Sequence, residues 1–281
     1  MAKRVLIVGA SGFVGRYLYS HLRNRHVVLG TRFSGTDSEF QTLDLADKAQ
    51  TIAVLRDFDP EVIVCLAGCK DVAACERDPA LAVRANVTTV QHILDAAESL
   101  DIGPRIVLLS TDYVFAGNRG FYSASDRVGP NTVYGISKAL GEAVLASSPL
   151  DHAIVRTSAV MGRQAGFFAW LRSSLERRAP VELYSNVFFS PTAVGNLCRH
   201  LEAKVHSTLR RETCNFCDGY RFSREDFGVA VALEMGVDPG LIVPSNANLA
   251  ATTLRADLSL LPDGMTEFLD SAKWHEYEAI L

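Results

Sequence analysis

The chain has 281 residues, of which 48% are hydrophobic and 21% charged, and its formal net charge is −4. That is the make-up of an ordinary globular protein with ample material for a core, and it excludes the basic footprint of a nucleic-acid binder. No stretch reaches the ~20 apolar residues of a membrane span, and Met1-Ala2-Lys3-Arg4 leads into an apolar run too short for a signal peptide, so a cytoplasmic location is expected and neither nucleic acid nor membrane is an expected partner.

Apolar runs alternate with helical patterns through the first half. Strands are expected at 4–8, 26–30, 41–43, 62–65, 105–110 and 151–156, and helices at 12–23, 51–58, 79–99 and 133–147. The long 79–99 helix is read from apolar positions at Leu81, Val83, Val87, Val90, Ile93, Leu94 and Ala97. Short continuous apolar strands separated by helices predict an α/β fold, a parallel sheet covered on both faces and doubly wound in the Rossmann manner. Beyond residue 160 the alternation loosens, with helices expected at 167–177, 192–203 and 224–235 and strands at 181–183 and 213–216. The predicted organisation is a nucleotide-binding domain over 1–160, to which 190–215 returns. A smaller interleaved substrate lobe comprises 161–189 and 216–281.

The first strand runs directly into Gly9-Ala10-Ser11-Gly12-Phe13-Val14-Gly15. At a strand–turn–helix junction Gly9 serves the tight turn and Gly12 lets backbone approach a pyrophosphate. Gly15 lets the helix pack on the strand, and the helix N-terminus faces the anion. Cofactor contacts are expected from this loop, including Ser11, Phe13 and Val14. The second strand ends Gly30-Thr31-Arg32, with no carboxylate before Asp37. An acidic residue there would read the ribose diol of NAD; Thr31-Arg32 instead suits a 2′-phosphate, so NADP(H) is the expected cofactor and NAD(H) the second candidate. Asp44 and Leu45 are expected beside the adenine, and Leu66-Ala67-Gly68 elsewhere along the cofactor.

Tyr134 and Lys138 stand at i and i+4, adjacent on one helical face. A free phenol is a poor acid–base group near neutrality, and a neighbouring ammonium lowers its pKa. Lys138 is also expected to hold the nicotinamide ribose. Thr111, in Ser110-Thr111-Asp112 at the end of a strand, is placed to hydrogen-bond a substrate oxygen beside Tyr134. Of the six cysteines, Cys214 and Cys217 form a lone C-x-x-C without the second pair that zinc would require. They read as small apolar filler, and no metal is expected.

Taken together these residues resemble an extended short-chain dehydrogenase/reductase, and within it the dTDP-4-dehydrorhamnose reductase group. The resemblance rests on Ser110-Thr111-Asp112-Tyr113-Val114-Phe115-Ala116-Gly117 and on residues 131–142, Asn-Thr-Val-Tyr-Gly-Ile-Ser-Lys-Ala-Leu-Gly-Glu. Arg156-Thr157-Ser158 and Ser190-Pro191-Thr192 add to it. It implies a catalytic set of Thr111, Tyr134 and Lys138. The implied reaction is reduction of a 4-keto group on a nucleotide-activated sugar, with hydride from the nicotinamide and a proton from Tyr134. Where that group usually carries Trp-Val-Tyr-Gly this chain has Ala159-Val160-Met161-Gly162, and Asn186-Val187 stands where Asp-Gln is usual. Sugar identity therefore stays open, and a homodimer is an open expectation. Two alternatives stand beside the reductase. One is a related sugar-nucleotide epimerase or dehydratase; against a dehydratase, Thr111-Asp112-Tyr113 lacks the Glu of the dehydratase Thr-Asp-Glu. The other is a non-catalytic NADP-binding regulatory subunit resembling the methionine adenosyltransferase beta subunit.

Overall fold

The structure, a computed structural model, describes residues 1–271 and Trp274. Residues 272, 273 and 275–281, the end of the expected 216–281 lobe segment, lie outside the described residues. The chain forms two compact units. The first comprises Met1–Val114, Pro130–Arg156 and Cys198–Cys214, the second Phe115–Gly129, Thr157–Leu197 and the residues from Asn215 onward. The segment between Phe115 and Gly129 thus packs with the second unit.

The first unit is built on strands β1 (Arg4–Val8), β2 (Val27–Arg32), β3 (Gln41–Thr42), β4 (Val62–Cys65), β5 (Arg105–Thr111) and β6 (His152–Thr157). Val5 through Val8 and Val62 through Cys65 are buried without a break, as expected of strands covered on both faces. The sheet has seven strands in the order 3-2-1-4-5-6, with Arg211–Phe216 added outside β6, and β3, β2, β1, β4 and β5 run parallel. This is a doubly wound Rossmann-type sheet whose strand order reverses between β1 and β4. Helices α1 (Phe13–Leu22) and α2 (Lys48–Phe58) follow β1 and β3. Asp47 caps α2 by accepting from the N–H groups of Ala49 and Gln50.

The single helix expected over 79–99 is broken, and a preceding one was not foreseen. Asp71 caps α3 (Val72–Arg77), and Asp78 ends it while capping α4 (Pro79–Val83). A π-helical turn at Arg84–Thr88 then leads into α5 (Thr89–Ser99). The widened turn inserts one residue into the helical ladder and buries Asn86. Helix α6 (Val133–Ala146) starts with two caps: Thr132 Oγ1 accepts from Gly135 N–H at 3.0 Å, and Glu76 of α3 accepts from Val133 N–H at 2.8 Å.

The second unit contains α7 (Gly166–Glu176) and α9 (Arg224–Glu234), with α8 (Val194–His206) passing on into the first unit. Its strand pairs are short: Val181–Tyr184 with Ile242–Ser245, and Phe188–Phe189 with Phe222–Ser223. Its core is aromatic. Phe227 is fully buried, with the rings of Phe189 and Phe222 packed edge-on at 5.4 and 5.7 Å. No helix among the described residues is long and apolar enough to cross a membrane.

Candidate active site

Register brings the ends of β1 and β4 together, Val8 opposite Cys65, so the loops leaving them run side by side. Gly9 has φ +88°, and a Cβ there would stand 2.9 Å from the Ala67 nitrogen; only glycine meets both demands. A Cβ on Gly15 would stand 2.3 Å from the Gly9 carbonyl oxygen, so a bare backbone is what lets α1 sit against the turn. No side chain caps α1 at Gly12, which leaves the helix N-terminus open to an anion.

Beside this turn lies a cleft of about 400 Å³ at the reversal point of the sheet. Of the residues expected at a cofactor, Gly9, Thr31 and Arg32 line it, as do Asp44, Leu45, Ala67 and Gly68. Ser11, Gly12, Phe13, Val14 and Gly15 form the turn and the start of α1 instead, and Leu66 extends the β4 pairing through its N–H to Val8 O. Phe33, Cys69, Arg84 and Thr89 also line the cleft and were not foreseen. Phe33, 71% exposed at the end of β2, was the readable signal: a large apolar residue left in solvent beside a strand end.

Arg32 does more than face this cleft. Its Nε donates to the carbonyls of Asp37 at 2.9 Å and Phe40 at 3.2 Å, and Nη1 donates to Gly35 O. The guanidinium therefore closes the loop over 33–40. In that loop Asp37 accepts from Arg16 at 2.7 Å, which holds its carboxyl below the usual range.

The residues expected to carry the chemistry lie on the face of α6 that meets the end of β5. Tyr134 and Thr111 share a side-chain hydrogen bond, and Thr111 Oγ1 donates to Asp112 Oδ1 at 2.9 Å. Burial pushes the Tyr134 pKa strongly up; Thr111 pulls it down, and Asp112, Tyr113 and Cys75 push it further up. Lys138 Nζ donates to Leu109 O at 2.7 Å. Burial depresses the Lys138 pKa, which Cys65 and Glu142 oppose. Tyr134 is thus held as a protonated acid.

Two residues that sequence reading passed over support this centre. Asn86 Nδ2, on the π turn, donates to Cys69 O at 3.2 Å and to Ser137 Oγ at 2.9 Å, tying the loop after β4 to α6. Gly141 admits the turn, since a Cβ there would lie 2.4 Å from Asn86 O. Glu142 forms a buried pair with Arg156, Nη2 to Oε2 at 2.7 Å and Nε to Oε1 at 3.1 Å. Removing one member of such a pair costs about 3–5 kcal/mol.

Among the described residues His26, Glu202 and His206 bring potential ligand atoms within 4.8 Å of one another. Lys3 N–H donates to His26 Nδ1 at 3.2 Å, so the neutral ring carries its proton on Nε2 and offers no lone pair there. The six cysteines are free thiols; Cys214 and Cys217 are buried, Cys217 donating to Leu260 O at 3.2 Å.

Residues 3–278 match the RmlD substrate binding domain. The chain belongs to the RmlD substrate-binding domain family. A dTDP-4-dehydrorhamnose reductase of Mycobacterium tuberculosis is 31% identical over 270 residues, covering 92% of this chain and 85% of that protein. The crystal structure of a dTDP-4-dehydrorhamnose reductase from Bacillus anthracis in complex with NADP shares the fold, with a TM-score of 0.85 over 96% of each chain at 21% identity. The beta subunit of methionine adenosyltransferase 2 from Rattus norvegicus is 30% identical over 191 residues, 67% of this chain and 54% of that protein.

Within the family fold, the two later motif pieces have a structural task. Ser190 N–H donates to Ser158 Oγ at 3.3 Å, Thr157 Oγ1 donates to Thr192 Oγ1 at 3.3 Å, and Thr192 N–H donates to Ala159 O at 3.0 Å. Arg-Thr-Ser and Ser-Pro-Thr thereby lace two segments of the second unit together. Arg163, just beyond, is exposed.

Proposed function

We propose that the protein uses NADPH, with NADH as the second donor, to reduce the 4-keto group of a nucleotide-activated deoxysugar. The observation that carries this is Tyr134, a phenol kept protonated by burial and hydrogen-bonded to Thr111 at the carboxyl edge of the sheet. A reduction consumes one proton, and a side chain held in its acid form is what must deliver it.

The residues present fit a dinucleotide. The cradle is glycine where a Cβ would collide, the helix start is open, and the cleft beside it is large enough for the adenosine end. Gly12 and the open start of α1 would hold the pyrophosphate, Arg32 the 2′-phosphate, and Asp44 and Leu45 the adenine. When bound, the reduced nicotinamide supplies the hydride. Tyr134 gives its proton to the oxygen of the carbonyl being reduced, and Thr111 orients that oxygen by turning its hydroxyl proton from Asp112 to it. Lys138, which donates to Leu109 O in the unliganded protein, would turn to hold the nicotinamide ribose and bring positive charge toward the phenolate that Tyr134 leaves behind. The reductase names of relatives at 28–31% identity over most of the chain support the same reading.

A panel of nucleotide 4-keto-6-deoxysugars, followed by loss of NADPH absorbance, tests it. Turnover with at least one member is expected. A second reading, a regulatory subunit, draws on the likeness to the methionine adenosyltransferase beta subunit. Stoichiometric NADP binding with no turnover across the panel, together with capture of a methionine adenosyltransferase, would favour it.

A further inference from the structure

Three consecutive residues at the end of β5 each meet a different residue of α6. Leu109 O accepts from Lys138 Nζ at 2.7 Å, Ser110 Oγ donates to Glu142 Oε1, and Thr111 is bonded to Tyr134. Tyr134, Lys138 and Glu142 stand at i, i+4 and i+8, one continuous stripe of the helix. Tyr134 and Lys138 touch the reacting groups in the reading above, and Glu142 does not. Its carboxylate is 7% exposed, paired through two nitrogens with an Arg156 guanidinium that is also 7% exposed. Such a pair does not by itself argue for stability, because an apolar pair of like volume often does as well. Its placement one turn beyond Lys138, joined to the same strand end, argues for a task in the site.

We propose that Glu142 is a positioning residue for the Tyr134–Lys138 pair: clamped by Arg156 and Ser110, its carboxylate fixes the seat of α6 on β5 and supplies the negative neighbour that keeps the Lys138 ammonium protonated. The ammonium needs that neighbour. Lys138 is buried, and burial favours the neutral amine. The groups facing it are the Cys65 thiol at the end of β4, the Leu109 carbonyl of β5, and Glu142 on its own helix, with Arg156 of β6 behind the carboxylate. Cys65 is itself buried, which pushes its pKa up to about 11, so near neutrality it is a neutral thiol. That leaves Glu142 as the anion on this side of Lys138. Tyr134 in turn is bounded by Thr111, Asp112, Tyr113 and Cys75.

The inference rests on the Tyr134–Lys138 reading of the site, and its test does not need the substrate. The chain has six lysines, so protein enriched with carbon-13 at lysine Cε gives a spectrum in which Lys138 is assigned by its loss in Lys138→Arg. The Lys138 titration midpoint is then followed in the full-length protein. In Glu142→Gln it is expected to fall by about one pH unit or more, which is at least a tenfold loss of the charged form on the alkaline side. Glu142→Asp should restore the midpoint. Because Glu142→Gln leaves Arg156 buried without its partner, the double variant Glu142→Gln/Arg156→Met serves if the single one does not fold; its midpoint should fall in the same direction by less. The alkaline limb of the reductase pH profile should move down with the midpoint. A midpoint unmoved in folded variants overturns the assignment whatever the substrate. A moved midpoint in a protein that turns over no sugar nucleotide upholds Glu142 and removes the reductase reading alone.

Discussion

Arg32→Ala separates the loop closure seen in the structure from the phosphate contact proposed for the same side chain. The guanidinium closes the 33–40 loop through three backbone carbonyls and also lines the nucleotide cleft. Loss of the loop closure acts on any dinucleotide. Because the loop is largely exposed, that common part is set at about 1 kcal/mol, roughly fivefold in Kd. The 2′-phosphate part acts on NADPH alone. A charge-assisted hydrogen bond contributes ~1.5–3 kcal/mol, and partial exposure places this one at about 1.5–2 kcal/mol, a further 10- to 30-fold. Calorimetric titration of Arg32→Ala should therefore show Kd for NADH rising about fivefold and Kd for NADPH rising about 50- to 150-fold. Arg32→Lys keeps the charge but lacks the planar fork that spans three carbonyls, so it should show the loop loss and keep most of the phosphate preference. Equal rises in Kd for both cofactors in Arg32→Ala would refute the phosphate assignment and leave Arg32 as a loop clasp.

Tyr134→Phe keeps the ring and removes the proton, so kcat should drop by ~100-fold or more with NADPH binding retained; near wild-type turnover in steady-state assays removes Tyr134 from the chemistry. Gly15→Ala would bring its Cβ to 2.3 Å from Gly9 O. Stability should fall by about 1–3 kcal/mol and dinucleotide binding should weaken; an unchanged Tm and Kd would show that α1 can move aside freely. His200 gives a pH signature. Burial, then Lys204, lower its pKa to about 4 against an opposing Glu212, and its Nε2 lies 3.6 Å from Cys214 Sγ. A histidine kept neutral in the fold contributes stability that is full above its unfolded pKa of about 6.5 and lost as pH falls toward 4. Between pH 7.5 and 5 this one group should account for about 1–2 kcal/mol of the loss, allowing for its partial exposure. Urea unfolding of His200→Gln should show a correspondingly shallower decline, and an identical slope would exclude His200 as a cause.

The parts of the fold that sequence reading recovers best are those with one dominant local signal. The short apolar runs at the heart of β1 and β4 mark the strands plainly, and the bounds of both are met to the residue. The helix expected over 79–99 fails for a physical reason. A π turn displaces the pattern by one position, and an apolar count across 20 residues averages the displacement away. Asp71 and Asp78 were visible cap residues, yet six residues containing Cys and Glu carry too little amphipathic pattern to announce α3. In the site, spacing reveals Tyr134 with Lys138 because i and i+4 share a helical face. It is silent on where the Lys138 amine points, since Leu109 O is 29 positions away in sequence. Asn86 and the Glu142–Arg156 pair escape for the same reason: their importance comes from burial, which a polar residue in a sequence does not display.

The division of the first unit into three stretches of chain sets a timetable for synthesis. Strand β6 ends at Thr157, and its outer neighbour is the strand beginning at Arg211. The intervening chain, about 50 residues, emerges at ~5–20 residues per second, so the outer side of β6 waits roughly 3–10 s for its neighbour. An unpaired strand edge is a template for other chains. Arg105, on β5, awaits the same stretch, for it binds Lys204 O, Leu209 O and Glu212. Nascent chains halted between residues 160 and 205 should therefore be the ones that need chaperones most.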